Sequence, residues 1–340
     1  MRKLIAITAA VCAFCPFVSF TQAAQPWIVF DGFDGPGKGK HIVFVTGDEE
    51  YRSEESMPQL AKVLARHHGF KCTVLFAIDR NDGTINPEQN DNIPGLEALE
   101  KADLMVIFTR FRDLPDEQMK PILDYINSGK PIVGLRTATH AFRFQKHKTY
   151  AKYDFNNKEF AGGFGRQVLG ETWISHYGKH NVESTRGIVV KGMEEHPILR
   201  GVKDIWGPSD VYGITTLSGD SKPLVMGQVL VGMNPDDEPK PDMELVPIAW
   251  TKTYKGDKGK TSLVFTTTMG HSDDLQNEGF RRLLVNACYW ALKLEEQIRP
   301  DLKVDLVGEY KPNAIGFGTH KTGLKPEDHR IRDCGQDDRH

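Results

Sequence analysis

The sequence predicts an α/β fold with a doubly wound, mostly parallel sheet, helices on both faces and an inserted β-rich loop region. Continuous apolar runs, such as the one at residues 42–45, are typical of strands buried on both faces. Amphipathic helical segments separate these runs, which favours parallel strands joined by right-handed crossovers. The alternation stops between residues 140 and 260, where short alternating stretches indicate added strands and loops.

The first strand and the first helix are predicted by several signals. The apolar run at residues 42–45 ends in a polar cluster, as expected for a strand that leads into a loop. Ser56 and Gln59 form an N-terminal capping pattern, and Gly69 stands where a C-terminal cap is expected. The apolar face between them consists of Met57, Leu60, Ala61, Leu64 and His68.

Three more strands are predicted before the insert, at residues 73–77, 104–108 and 131–135. A short helix is expected at residues 93–102, and a longer amphipathic helix ends at Gly129. A proline near the start of the longer helix removes a backbone donor, so we expect a kink there.

The parallel pattern resumes after the insert, with a strand at residues 262–265 and a helix at residues 278–294. A parallel sheet of this kind is flavodoxin-like. The chain from Pro300 onward is polar and rich in Gly and Pro, which indicates a wrap-around or partly disordered extension. The predicted divisions are a leader at residues 1–24, one domain at 25–298 and an extension at 299–340.

The N-terminus has the pattern of a secretory signal peptide. Arg2 and Lys3 precede a largely apolar run, which ends in small residues near Ala24. A membrane anchor is the alternative, but spanning a bilayer requires roughly 20 apolar residues, and this run contains a proline and polar residues. We therefore expect export to a periplasmic or extracellular location, without stable membrane insertion.

Composition and cysteine content limit the classes of partner. Loss of Arg2 and Lys3 with the leader removes two positive charges, so the formal net charge changes from -3 to -5. A mildly acidic chain with interspersed charges gives no reason to expect a nucleic-acid partner. Beyond the leader, which takes Cys12 and Cys15, three cysteines remain and allow one disulfide at most: Cys72, Cys288 and Cys334.

Polar clusters follow two of the early strands, and ligands of open α/β sheets bind beyond the carboxyl ends of strands. The first cluster contains Asp48, Glu50 and Tyr51, for which capping of the next helix is the alternative role. The second contains Arg136, and its turn resembles the one that carries a nucleophile in hydrolases of this architecture. No Cys or Ser stands at its apex, and we expect Arg136 to contact an anionic or polyhydroxyl ligand.

The same turn contains Thr139 and His140, and helix capping is the alternative role for the threonine. A third cluster follows the late strand, where His271 stands on a glycine turn with Asp273 two residues later. This spacing predicts a general acid/base oriented by a carboxylate. The alternative is a histidine that caps the next helix.

The insert contains further polar candidates. His176 and His180 could share a divalent ion on a helix, but the Tyr-Gly pair between them argues against a helix. A surface or structural role is favoured for His180. Asp210 and Tyr212 form another polar pair in a predicted loop. The sequence has no phosphate-binding loop, dinucleotide glycine motif or zinc-type cysteine cluster.

Five short blocks in this order carry a family resemblance: GDEEYRS at residues 47–53, GLRTATH at 134–140, EHPILRG at 195–201, DVY at 210–212 and TTMGH at 267–271. Their order and spacing resemble those of ThuA-like proteins of trehalose utilisation, which are relatives of class I glutamine amidotransferases. The resemblance implies a glutamine amidotransferase-like fold and a role in carbohydrate catabolism, including trehalose and 3-keto sugars.

The resemblance also shows where this chain departs from the amidotransferases. Arg136 stands at the position of their cysteine nucleophile, and His271 with Asp273 stands at the position of their base pair. Glutaminase chemistry by thiolate attack is therefore excluded. Cys72 and Cys288 are interpreted as core residues.

Three functional hypotheses follow. The first is an isomerase, lyase or hydrolase that acts on a sugar or keto-sugar by acid/base chemistry. The second is a non-catalytic carbohydrate-binding protein, and the third is a metal-dependent hydrolase with a divalent ion at His140, His176 and His271. The expected partner is a small carbohydrate, and a homo-oligomer is compatible with the sequence. The candidate residues are catalytic His271, Asp273 and His140 and substrate-binding Arg136, Asp48, Glu50, Tyr51, Thr139, His176, Asp210 and Tyr212.

Overall fold

The computed structural model describes residues 25–214 and 216–331 of the 340-residue chain. The predicted signal peptide at residues 1–24, with Cys12 and Cys15, lies outside the described residues, as does Cys334. Cys72 and Cys288 are buried free thiols, in agreement with their interpretation as core residues.

Most strands belong to one ten-stranded sheet, and two short ones form a separate ladder. In chain order the strands are β1 (Trp27–Phe30), β2 (His41–Gly47), β3 (Lys71–Leu75), β4 (Leu104–Thr109), β5 (Ile132–Leu135), β6 (His176–Tyr177), β7 (Thr185–Val189), β8 (Trp206–Gly207), β9 (Val211–Tyr212), β10 (Lys222–Val229), β11 (Val246–Lys255) and β12 (Thr261–Thr267).

The large sheet has a parallel centre and antiparallel flanks. Strands β3, β2, β4, β5 and β12 are parallel neighbours in this order. β1 pairs antiparallel with β3 at one edge, and β11, β10, β7 and β8 extend the other side antiparallel. The insert therefore supplies much of the antiparallel part, and the α/β sheet is a mixed sheet with a parallel centre.

The central strands are buried on both sides, as their continuous apolar runs predict. Successive side chains of a strand point to opposite faces. In β2, Ile42 and Phe44 pack in the apolar cluster that contains α1 (Ser53–His68) and α3 (Glu278–Ala291). Val43 and Val45 belong to the cluster that contains α2 (Asp116–Ile126).

Helix α1 begins earlier than the capping pattern predicts. Its N-cap is Arg52, which has a left-handed backbone (φ 60°) and makes no side-chain cap, so the expected cap at Ser56 is wrong. Ser56 lies inside the first turns and donates its hydroxyl to the Arg52 carbonyl at 3.3 Å. Gly69 ends the helix at φ 78°, as expected.

Short helical turns connect the longer elements, and two of them follow strands at the carboxyl edge of the parallel centre. The predicted helix at residues 93–102 is a shorter 3-10 helix. The 3-10 helices are Leu96–Lys101, Arg136–His140, Ala151–Tyr153, Pro197–Leu199, Ser272–Gln276, Glu295–Gln297 and Pro326–His329, and a π-helical turn covers Gly165–Leu169.

The described part of the C-terminal extension packs beside α1. The Tyr310 hydroxyl donates to the Ser272 carbonyl at 2.7 Å, and the backbone N–H of Gly316 donates to the Glu50 carbonyl at 2.9 Å. Glu55 of α1 accepts the backbone N–H of Asn313 at 3.2 Å. The extension therefore reaches the same edge as the first polar cluster. Within residues 25–214 and 216–331, no helix has the length and apolar character needed to cross a membrane.

Candidate functional site

The three predicted polar clusters meet at one edge of the sheet. β2, β5 and β12 are parallel, so their carboxyl ends lie on the same side. Tyr51, after β2, shows the convergence. Its ring lies 4.2 Å from the guanidinium carbon of Arg136 and 6.4 Å, between centroids, from the ring of His271.

Arg136 makes its contacts with other residues inside the protein rather than at the surface. It has φ 46° and is completely buried, between the rings of Tyr51 and Tyr212. Its guanidinium donates to the backbone carbonyls of Asp210 and Thr268 and, at 3.2 Å, to the Asp210 carboxylate. Asp210 is therefore the charge partner of Arg136 in this structure, and direct contact of Arg136 with substrate stays a prediction.

Asp210 also binds two histidines. Its Oδ2 lies 2.5 Å from Nδ1 of His176, and its Oδ1 lies 2.9 Å from Nδ1 of His180. Burial acts to raise the pKa of Asp210, but the charge of Arg136 and the histidine contacts hold it below its usual range. We call Asp210, His176 and His180 the Asp210 cluster.

The separate ladder of β6 and β9 builds this cluster. His176 pairs across the ladder with Tyr212, which follows Asp210 by two residues in the chain. Gly178 then turns the chain at φ 99°, and the rings of His176 and His180 come within 5.0 Å between centroids. The sequence argument against a helix is consistent with this strand and turn, and His180 is a partly exposed residue that binds Asp210.

The first polar cluster divides between a buried and an outer part. Asp48 is fully buried and accepts the backbone N–H groups of Glu50 and Tyr51 at 2.7 Å and the Thr137 hydroxyl. It therefore holds the loop from inside, and a substrate contact of Asp48 stays a prediction. Glu50 is also largely buried, but it lies nearer the partly exposed histidines: its carboxylate is 3.5 Å from Nε2 of His180.

Two arginines that the sequence reading missed complete this part of the site. Arg110 contacts the carboxylates of Glu49 at 2.5 Å and Glu50 at 3.1 Å, and Arg112 binds Glu49 from the buried side. Both follow β4, another strand of the parallel centre. The signal that would have found them is the same carboxyl-end rule, applied to the loop after residue 109.

His271 is oriented by backbone rather than by Asp273. Its Nδ1 accepts the backbone N–H of Asp273 at 2.9 Å, while the Asp273 carboxylate lies 3.9 Å away and accepts from Gln276. His271 therefore caps the next turn, which was the structural alternative. Since Nδ1 is an acceptor, the neutral ring carries its proton on Nε2. Burial, followed by the charge of Arg136, lowers the pKa of His271 to about 3.

The buried carboxylate at this turn is the next residue, Asp274. It accepts the backbone N–H groups of Gly270 at 2.9 Å and His271 at 3.1 Å, and the Ser209 hydroxyl at 3.2 Å. Burial raises the pKa of Asp274 to about 7, against the effect of the Gly270 N–H and of Arg136. The pattern of a cap followed by an acid three residues later could have identified it.

His140 and Thr139 are buried, deeper in the protein than His176 and His180. The Thr139 hydroxyl is 3.1 Å from Nδ1 of His140, and the imidazole packs against Phe111 and Trp173 at 4.9 and 5.4 Å between ring centroids. Burial and the charges of nearby arginines hold the pKa of His140 well below its usual value. Thr139 is completely buried and orients His140, and its substrate contact stays a prediction. Tyr51 and Tyr212 are also buried, on both sides of Arg136.

Comparison with known proteins places the chain in a family. Residues 41–291 match the ThuA family, described as trehalose utilisation. The chain belongs to this family. Family membership supports a carbohydrate-related role. A search of curated proteins finds no match to the sequence.

Solved structures similar to this ThuA family member have low sequence identity. A ThuA-like protein from Parabacteroides merdae is 15% identical, with a TM-score of 0.49, and the match covers 87% of this chain and all of the other. One from Bacteroides uniformis is 15% identical, with a TM-score of 0.46 and coverage of 80% and 98%. A β-galactosidase from Rahnella sp. R3 is 11% identical, with a TM-score of 0.40 and coverage of 76% and 32%.

The thiols of this ThuA family member are unsuited to nucleophilic attack in the described part of the chain. Cys72 lies in β3 and Cys288 in α3, and both are buried. Burial raises the pKa of Cys288 to about 12 and that of Cys72 well above its usual value. A thiolate is therefore disfavoured at both positions.

Among the described residues, three side chains have the arrangement of metal ligands, and these form the Asp210 cluster. Only His176 of the predicted metal ligands belongs to it. His140 and His271 lie deeper, each with Nδ1 at a hydrogen-bond distance from a neighbouring protein group. The correction arises because the separate ladder brings His180 and Asp210 to His176.

The side chains that reach solvent form the outer rim. The side chain of His176 is 37% exposed and that of His180 is 29% exposed. Trp173 lies 5.9 Å from His176 between ring centroids, and the exposed Phe317 of the extension lies over Arg110. The rim thus combines imidazoles, charged groups and aromatic rings on the solvent side of a network of buried charged residues.

Proposed function

We propose that this ThuA family member binds a sugar or keto-sugar at the Asp210 cluster and converts it by acid/base chemistry. One observation carries the proposal: a buried carboxylate, fixed by Arg136, holds two imidazoles that reach the solvent. A carboxylate on one ring nitrogen orients an imidazole and fixes its tautomer. The second ring nitrogen is then available for a substrate proton.

His176 has the better position for proton transfer. Its Nδ1 contacts Asp210, and its side chain is the more exposed of the pair. The second nitrogen of His180 already lies 3.5 Å from Glu50, which leaves it less available. The proposal therefore moves the acid/base role from His271 and Asp273 to His176 and Asp210, with Arg136 as a positioning residue.

His271 keeps a different role. With Nδ1 occupied and a pKa of about 3, its ring stays neutral near pH 7, and its Nε2–H can only donate. A neutral donor of this kind stabilises an oxygen that gains negative charge. Such an oxygen forms when a proton is removed next to the carbonyl of a keto-sugar, so the arrangement suits isomerisation or elimination.

The rim also fits a carbohydrate. Sites for small ligands combine aromatic surface with a few directed polar groups. Trp173 and Phe317 supply the aromatic surface, whereas Glu50 and Arg110 supply an acceptor and a donor for hydroxyl groups. We propose these four residues as the ligand-contacting set.

The test is product formation from defined sugars. Purified protein is incubated with trehalose and with 3-keto disaccharides, and products are followed by mass spectrometry. We expect turnover of at least one sugar and a loss of about 100-fold or more in His176→Ala, since general acid/base catalysis contributes 10²–10⁴-fold. His147→Ala, at a histidine outside the site, is the matched control. Full activity in His176→Ala would refute the proposed role.

A non-catalytic carbohydrate-binding protein gives a different result in the same experiment. In that case a sugar binds in calorimetry, and His176→Ala weakens binding, but no product forms with any sugar. The assay therefore separates the two hypotheses.

We also propose that the protein is exported, on the basis of the leader pattern at residues 1–24 alone. Intact mass measurement of protein from the periplasmic and culture fractions is the test. A mass that corresponds to a chain beginning near residue 25 is expected, and an uncleaved chain retained in the cytoplasm would contradict export.

A further inference from the structure

We infer that the Asp210 cluster is a binding site for one divalent transition-metal ion, with His176, His180 and Asp210 as ligands. This inference refines the proposed function by assigning an ion to the same site. The ligand atoms of the three side chains lie within 4.8 Å of one another. Two imidazoles and one carboxylate suit zinc and its first-row neighbours better than magnesium or calcium, which prefer oxygen ligands.

The distances allow an ion with little rearrangement. The two Nδ1 atoms lie 2.5 and 2.9 Å from the Asp210 carboxylate oxygens. Ligand atoms on a tetrahedral zinc ion lie about 3.3 Å apart, given bonds of 2.0–2.1 Å. The histidines therefore need to withdraw by less than about 1 Å, and the ion replaces the protons that now bridge these atoms. Both rings are partly exposed, so they can move.

The groups behind the ligands provide an independent indication. Metal-binding histidines usually donate their second ring nitrogen to a carboxylate, which fixes the ring. Nε2 of His180 faces the Glu50 carboxylate at 3.5 Å. Asp210 is likewise fixed from behind by Arg136, at 3.2 Å. Two of the three ligands thus have the outer partners that a metal site requires.

Local charge indicates what completes the coordination. Counting formal charges, the acids around the cluster carry four negative charges (Asp48, Glu49, Glu50 and Asp210) and the arginines carry three positive charges (Arg110, Arg112 and Arg136), a net charge of -1 that becomes +1 with the ion. A divalent ion leaves this group with a net positive charge, which favours an anionic oxygen at the open positions. That oxygen can be hydroxide or the oxyanion of a deprotonated keto-sugar.

Ion binding would change which group performs the proton transfer. With an ion bound, His176 and His180 would serve as ligands and the ion would supply an activated water as the acid/base group, so the free-imidazole role of His176 would apply only to the ion-free protein. Glu50, 3.5 Å from Nε2 of His180, would be a carboxylate close enough to the ligands to assist it. The ion and the sugar remain separable properties, because ion binding is measured without any sugar.

The test is a zinc titration of untagged, chelator-treated protein by calorimetry, with cobalt absorption as a second readout. We expect one Zn²⁺ per chain and a tetrahedral or five-coordinate cobalt spectrum. His176→Ala and His180→Ala are expected to weaken Zn²⁺ binding by about 100-fold or more, and Glu50→Gln by about tenfold. His147→Ala, outside the cluster, should bind as the wild type does.

Asp210→Asn leaves Arg136 without its partner and can fail to fold, so the inference is tested with the two histidine variants. Circular dichroism of His176→Ala and His180→Ala establishes that they are folded. The inference is overturned if the wild type binds no stoichiometric Zn²⁺ or if both variants bind it as tightly as His147→Ala. Sugar turnover that persists after complete chelation would overturn the catalytic use of the ion and leave the proposed function intact.

Discussion

Asp210 and Asp274 are both buried carboxylates close to Arg136, but their pKa values shift in opposite directions. Asp210 contacts the guanidinium and two imidazoles, and its pKa falls below the usual range. Asp274 accepts only backbone N–H groups and the Ser209 hydroxyl, and burial raises its pKa to about 7. Direct contact with a charged partner therefore outweighs desolvation at one position and not at the other.

The comparison separates two uses of a buried acid at one edge of the sheet. Asp210 remains an anion that can hold cations or imidazolium protons at the rim. Asp274 is near the midpoint of its titration at neutral pH and holds the turn that carries His271. The following predictions test this division, from the largest expected effect to the smallest.

Arg136→Met should cause the largest loss of stability. It leaves Asp210 buried without its guanidinium partner, and breaking a buried pair in this way costs about 3–5 kcal/mol. Urea unfolding at pH 7 measures the effect. Arg136→Lys keeps the charge but loses the forked hydrogen bonds. Its free energy of unfolding should lie between those of Arg136→Met and the wild type. A loss below about 1 kcal/mol in Arg136→Met would show that the histidines alone compensate Asp210.

Asp274→Asn should change the pH dependence of stability. The folded pKa of about 7 exceeds the ordinary value of 3.8, so Asp274 favours the folded state at low pH. This contribution is complete below about pH 3.8 and is lost as pH rises through 7. Asparagine resembles the protonated acid and does not titrate. Relative to wild type, the variant should therefore gain about 2–3 kcal/mol between pH 4.5 and pH 8.

Urea unfolding of both proteins at several pH values gives the difference directly, because other titrating groups cancel. A difference that stays constant over this range would mean that Asp274 is ionised in the fold at all these pH values. In that case the contrast with Asp210 would not hold.

The sequence predicts which strand ends form the site better than it predicts which side chains pair within the site. Arg136 and His271 follow strands of one parallel centre, so the carboxyl-end rule is sufficient to bring them together. The pairing of Arg136 with Asp210 joins residues 74 positions apart, across the irregular insert. No periodicity specifies that contact. His180 was missed for a related reason, because a glycine turn and a two-residue ladder place it, rather than a helix.

The choice between Asp273 and Asp274 shows a second limit. Both acids follow His271 within three residues, and the phase of a 3-10 turn decides which one points inward. A one-residue difference of this kind depends on backbone geometry that composition and spacing do not determine. The sequence points to Asp273 beside His271, whereas the acid that the structure buries at this turn is Asp274.

Ser209→Ala should have a smaller effect on stability than Arg136→Met or Asp274→Asn. The Ser209 hydroxyl donates to both oxygens of Asp274, at 3.2 and 3.3 Å. Loss of a buried hydrogen bond to a group of this kind costs about 1–2 kcal/mol. The loss should be greater at pH 8 than at pH 5, since the ionised carboxylate is the better acceptor. Thermal unfolding at the two pH values tests this, and an equal loss at both would contradict it.

Asp273→Asn should have the smallest effect, although Asp273 is the immediate neighbour of Asp274. Its side chain is 32% exposed and lies 3.9 Å from the His271 ring nitrogen, which is already satisfied by a backbone N–H. We expect a change in stability below about 0.5 kcal/mol and unchanged sugar turnover. Urea unfolding and the 3-keto disaccharide assay provide the two measurements. If turnover instead falls as far as in His176→Ala, the acid/base pair is His271 with Asp273, and the Asp210 cluster does not perform the proton transfer.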